Sequence, residues 1–132
     1  MSDDTSGTRN GGAPRVVVVE HDILVRTVVA AYLRECGYDV VEVAQATEAI
    51  AVLQSDIRVD IVFSEVGLSG GLDGFGLAQW VRRERPSVKV ILTAGSERTA
   101  NAAGDLCEHG PILAKPYDHA ELARRIRSLT LR

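Results

Sequence analysis

Arg15-Val-Val-Val-Val-Glu20-His21-Asp22 decides how this 132-residue chain is read. Its four valines run continuously, without polar alternation, as a strand covered on both faces requires. The chain then repeats that theme. Val25, Val28, Val29, Tyr32, Leu33 and Cys36 follow helical spacing, with Gly37 placed to cap the helix. Asp39–Val43 reads as a second strand, and Ala46, Ala49, Ile50 and Leu53 form the next helical stripe. Asp60-Ile-Val-Phe-Ser-Glu65 is a third strand, followed by a loop rich in glycine. Leu77, Ala78 and Val81 mark a third helix that must stop before Pro86. Val88–Thr93 and Pro111–Lys115 give strands four and five, and Asp118 with Glu121 opens a last helix carrying Leu122, Ile126 and Leu129. Between Thr93 and Pro111 the chain offers mostly Ala, Asn, Gly and charge, which predicts a short, mobile fourth helix.

Strands alternating with helices at this spacing imply an α/β domain with a parallel sheet. Right-handed crossovers leave few doubly wound orders, and for five strands the flavodoxin-like order 2-1-3-4-5 is expected. Residues 15–132 make that one domain, and residues 1–14 a disordered tail without the apolar stretch of a signal peptide.

Composition narrows the classes of function. The chain is 45% hydrophobic and 25% charged, an ordinary globular balance. Fifteen basic residues against 18 acidic ones give a net charge of -3, a poor match to a phosphate backbone, so no nucleic-acid partner is expected. The arginines at 82, 83, 85 and at 124, 125, 127 fall late in helices, where cations favour the dipole. The longest apolar run, Val16–Val19, is too short to span a bilayer, and a cytoplasmic protein is expected. Cys36 and Cys107 lie far apart and outside any CxxC pattern, which predicts neither a disulfide framework nor a zinc site.

In such sheets ligands sit outside the carboxyl ends of the strands. Those ends carry Glu20, His21 and Asp22, then Glu65, Thr93 and Lys115. Carboxylates, a hydroxyl and an ammonium on one rim suit a divalent cation and a phosphoryl group.

With these stretches, together with Leu72-Asp73-Gly74, Ile91-Leu92-Thr93-Ala94 and Leu113-Ala114-Lys115-Pro116-Tyr117, the chain from Arg15 to Leu131 resembles a receiver domain of two-component response regulators (CheY-like). The resemblance implies a signalling module and not an enzyme. In that family an Asp ending strand three accepts a phosphoryl group from a histidine kinase. Two acidic residues after strand one hold Mg²⁺ with that Asp and a backbone carbonyl two residues on, while a Thr and a Lys contact the phosphoryl group. Carried onto this chain, the phosphoacceptor position is Glu65, the acidic pair is Glu20 and His21, and the carbonyl is that of Gly67. Thr93 and Lys115 match; the aromatic switch position is Ile112, and Ser69 stands where the family has Pro.

These departures fall on the chemistry. Displacing a reacting oxygen by about 1 Å costs roughly a hundredfold in rate, and Glu65 is one methylene longer than Asp. His21 takes away a hard oxygen ligand, so Mg²⁺ binding through Glu20, Glu65 and Gly67 is expected to be weak or absent, and no cofactor is required. Phosphotransfer is expected to be lost or badly impaired. Two readings of Glu65 stay open: a carboxylate that imitates a phosphoryl group beside Thr93 and Lys115, or a structural partner of Lys115 alone.

The resemblance implies a protein partner, a histidine kinase or a downstream signalling protein, bound at the face of helix four, strand five and helix five. A homodimer is compatible with it. With no output domain after Leu131 and no helix-turn-helix, output is expected to act through that surface. The alternatives are a small α/β enzyme using Glu20 and Glu65 as an acid/base pair, or a flavodoxin-like ligand-binding protein. A shallow rim speaks against the first, and the acidic Glu20-His21-Asp22 stretch, where a phosphate loop belongs, against the second.

Overall fold

The valine run forms the central strand of a parallel sheet. The computed structural model describes residues 12–111 and 119–131. In it β1 (Arg15–Val19) lies between β2 (Asp39–Val43) and β3 (Ile61–Glu65), and β4 (Lys89–Thr93) pairs with β3, giving the order 2-1-3-4 among the described residues. The fifth strand expected over Pro111–Lys115 falls outside them, apart from Pro111 itself.

The valines are buried because both faces of the sheet are covered. Val16 and Val18 face a core built with α1 (Ile23–Glu35), α4 (Ser96–Glu108) and α5 (His119–Thr130). Val17 and Val19 face a second core with α2 (Ala46–Gln54) and α3 (Gly74–Glu84). Each fully buried valine contributes about 1.5–3 kcal/mol. Polar contacts hold the start of β1: the Arg15 backbone N–H donates to Asp60 Oδ2 at 2.8 Å and its Nε to Asp39 Oδ2 at 2.8 Å.

Local chemistry sets the helix ends. Asp22 caps α1, its Oδ1 accepting from the N–H of Leu24 at 3.0 Å and of Val25 at 3.3 Å. At the other end Gly37 takes φ 98°, Gly37 N–H bonds Arg34 O and Tyr38 N–H bonds Leu33 O, the paired closure of a glycine-terminated helix. Asp73 caps α3 through the Gly76 N–H at 2.8 Å, and α3 ends at Glu84, ahead of Pro86. None of the described helices is long and apolar enough to cross a membrane.

Two expectations are corrected. In place of a short helix, the segment after Thr93 forms a 13-residue helix whose Thr99, Ala100, Ala103, Leu106 and Cys107 are buried. Small side chains carry this burial by letting α4 lie close to α1 and α5, against which it packs on one face of the sheet. The second correction concerns the cysteines, which form a disulfide across 71 residues with a Cα–Cα distance of 5.2 Å. α1 and α4 both start at the carboxyl-end rim, so their last turns meet at the opposite pole and bring Cys36 and Cys107 together. There the Tyr38 hydroxyl also donates to Leu106 O at 2.6 Å.

Candidate functional site

The rim gathers Glu20 and His21 from the β1–α1 turn, Glu65 from the end of β3 and Gly95 from the β4–α4 turn around a cleft of about 190 Å³. Gly67 lines the same cleft, and α5 closes it with Ile126 and Thr130. Thr93 ends β4 beside Glu65. Lys115 and Ile112 lie outside the described residues.

Glu20 is held inward. Its Oε2 accepts the Asp22 N–H at 2.9 Å and lies 3.3 Å from His21 Nδ1, while its side chain is only 13% exposed. Burial raises its carboxyl above the ordinary 4.5, and the Asp22 N–H and the nearby His21 oppose that shift. His21 turns outward, 54% exposed. Asp22 uses Oδ1 to cap α1.

Glu65 sits at the start of α4. Its carboxyl faces the Gly95 backbone N–H, which favours the ionised form, and the Thr93 hydroxyl reaches its Oε2 at a long 3.5 Å. Gly95 is the N-cap residue of α4 at φ 90°, a conformation that favours glycine, and α4 has no side-chain cap of its own. The Glu65 carboxylate therefore serves as an anion at the positive end of the helix. Burial is the largest cause that raises the Glu65 carboxyl above 4.5, with the Glu20 charge second; the Gly95 N–H, the Thr93 hydroxyl and His21 lower it. Behind Glu65 the buried Thr99 hydroxyl meets the buried Thr93 hydroxyl at 3.1 Å, which extends the contact from the rim into α4. Gly74 fixes the other side: a Cβ there would lie 2.5 Å from the Glu65 carbonyl oxygen, so only glycine lets α3 start this close to β3.

The donor set does not fit Mg²⁺. One Glu20 oxygen is bound to the Asp22 N–H, Asp22 caps a helix, Glu65 faces the Gly95 N–H, and His21 offers nitrogen where the ion wants oxygen. Among the described residues no group of three His, Cys, Asp or Glu side chains is placed to hold a metal.

Sequence reasoning brought Glu20, His21, Asp22, Glu65, Gly67 and Thr93 to this rim, and the structure places all six there. It missed Gly95 and Thr99, and the α5 residues that close the cleft. A glycine between a strand end and a helix start signals a positive φ, which would have found Gly95. Thr99 carries no such signal.

A family model described as "Response regulator receiver domain" matches residues 16–127. The probable transcriptional regulator ycf27 of Cyanophora paradoxa is 30% identical over 118 residues, covering 89% of this chain and 48% of that protein. The transcriptional regulatory protein AruR of Pseudomonas aeruginosa is 30% identical over 123 residues, covering 90% of this chain and 50% of that protein. The chain thus spans about half the length of these curated relatives. Among solved structures, the signal receiver domain of an HD domain-containing protein from Pseudomonas fluorescens Pf-5 superposes with a TM-score of 0.60 at 24% identity, covering 89% of this chain and 94% of that one. A response regulator receiver protein from Pseudomonas putida gives 0.59 at 24% identity, covering 87% and 96%. At these identities the two structures speak for the fold.

Proposed function

The chain belongs to the response regulator receiver domain family, and from that premise we propose that it is a two-component signalling module that works without phosphorylation. In this reading Glu65 stands at the phosphoacceptor position as a built-in carboxyl group, and output is the binding of a protein partner at the surface that includes α4 and α5. The module is not an enzyme and works in the cytoplasm. The observation that carries the reading is the Glu65 carboxyl, which faces the Gly95 N–H and accepts the Thr93 hydroxyl at the start of α4. An anion there does what an added phosphoryl group does in a switch: it orders the segment whose N–H and hydroxyl donors it meets.

Phosphotransfer is disfavoured by the same geometry. Glu65 Oε2 accepts the Thr93 hydroxyl and the carboxyl faces the Gly95 N–H, while one Glu20 oxygen and Asp22 are spent elsewhere. The cleft, about 190 Å³, is also smaller than the usual small-molecule site of about 300–1,000 Å³, which weighs against a substrate pocket.

The test offers the protein acetyl phosphate, or an active histidine kinase with ATP, in the presence of Mg²⁺. No stable acyl phosphate is expected, and a Glu65→Asp, His21→Asp double variant regains part of the labelling. Stoichiometric, hydroxylamine-labile label on Glu65 would overturn the reading. With a recovered partner in hand, Glu65→Gln weakens binding by about tenfold, a shift of about 1.4 kcal/mol between two states.

A further inference from the structure

We propose that the Cys36–Cys107 disulfide is a thiol–disulfide switch that sets how firmly α4 is held against α1. This goes beyond the reading of Glu65, because it concerns the opposite end of α4.

Cys36 is the C-cap residue of α1, and Cys107 lies in the last turn of α4. Both are fully buried and they are the only cysteines in the chain, so the pair closes in a single way. Apart from its packing against α5, the other ties that hold α4 against α1 are small side chains. Its buried face is built mainly from Thr99, Ala100, Ala103 and Gly104, with Leu106 the one large apolar side chain, and Tyr38 adds one hydrogen bond to Leu106 O. Small side chains bury little apolar area, so the covalent bond is the strongest tie between α1 and α4. β1, by contrast, is buried on both faces and hydrogen-bonded on both sides whatever the state of the cysteines.

The chemistry needs a dithiol reductant. One of its thiolates attacks a protein sulfur, the Cys36–Cys107 bond breaks as a mixed disulfide forms, and its second thiol displaces the protein to close a disulfide within the reductant. Two electrons and two protons end on the protein cysteines, and a disulfide carrier runs the same steps backwards. Since both sulfurs are buried, exchange proceeds while the last turn of α4 is open. In a reducing compartment thiols are kept reduced, so closure there registers oxidation. The other end of α4 carries the Gly95 N–H and the Thr99 hydroxyl, so loosening the disulfide end also loosens the donors that face Glu65 and Thr93.

The experiment uses the full chain, purified without reductant, and then treated or not with dithiothreitol. Alkylation under denaturing conditions counts free thiols, and amide hydrogen exchange follows α4 and β1. No free thiol is expected before treatment and two after it. On reduction, the exchange rate of the α4 amides relative to those of β1 rises by at least about tenfold. A Cys36→Ser variant gives the reduced pattern with or without dithiothreitol; should it fail to fold, the reduced wild type supplies the same measurement. Two free thiols before treatment would overturn the proposal. So would acceleration of α4 and β1 by the same factor, since a plain structural staple does that.

Discussion

The two ends of α4 are held by different physics. At the rim, Glu65, Thr93 and Thr99 hold it through hydrogen bonds and charge beside a solvent-filled cleft. At the opposite pole a buried disulfide and the buried Tyr38 hydroxyl hold it where water does not reach. Polar contacts at a wet rim are individually weak and respond to pH, whereas the pole responds to reductant and hardly to salt. A helix fastened this way is adjusted by pH at one end and by reductant at the other. Its two ends should therefore differ in the size and in the sign of mutational effects.

The largest effect is expected at the pole. Replacing both cysteines by alanine releases a 71-residue constraint and costs about 2–4 kcal/mol, a fall in Tm on the order of 10 °C by calorimetry. An unchanged Tm would remove the contrast altogether.

Tyr38→Phe comes next. It leaves the Leu106 carbonyl without its buried donor and costs about 1–2 kcal/mol in urea unfolding. Burial also raises the Tyr38 phenol above its ordinary 10.0. The folded state thus favours the neutral phenol, and that contribution is complete below pH 10 and lost as pH climbs through the raised value. The Phe variant should lack this share of the alkaline loss.

Smaller is Thr99→Val, which keeps the branched shape and removes the hydroxyl that meets Thr93. A loss of about 1 kcal/mol is expected, read from the same unfolding curves.

The smallest effect has the opposite sign. The raised Glu65 carboxyl means that the fold favours its neutral form, so ionisation near neutrality weakens the fold. Glu65→Gln keeps an acceptor for the Gly95 N–H without the charge beside Glu20, and solvent screening keeps the gain modest. Tm should rise by on the order of 1–3 °C at pH 7. The gain should vanish below pH 4.5, where the wild-type carboxyl is already protonated. A variant less stable than wild type at pH 7 would show that the contacts with the Gly95 N–H and the Thr93 hydroxyl outweigh the cost of burying the charge beside Glu20.

What the sequence disclosed, and what it hid, follows the same division. β1 was legible because four valines in a row have few uses other than a strand covered on both faces. The helix caps at Asp22 and Asp73, and Gly37 beyond α1, act locally, and local chemistry sits in local sequence. α4 was under-read because its buried face is made of Thr, Ala and Gly, which periodicity of large apolar residues does not detect. The disulfide was invisible for a related reason: its two cysteines meet only after α4 has docked beside α1. At the rim, residue types and strand ends identified Glu20, Glu65 and Thr93. That the Gly95 N–H lies opposite Glu65 depends on a backbone turn, and no side chain announces it.

The valine quartet has a cost during folding. A strand usually finds its register because a slip of one residue throws apolar side chains to the wrong face. Here Val16 to Val19 are identical, so a one-residue slip of β1 between β2 and β3 exchanges valine for valine at three of the four buried positions and brings Arg15 or Glu20 into the fourth. Discrimination falls to the ends of the strand. A shifted β1 would pull the Arg15 backbone N–H away from Asp60 and its guanidinium away from Asp39, and would draw the Glu20 N–H off the Val43 carbonyl. The wrong register therefore keeps most of the buried valines and is rejected by the charge it buries and by the polar contacts it loses. Arg15, although far from the rim and its chemistry, fixes the alignment of the sheet from one end of β1, as Glu20 does from the other.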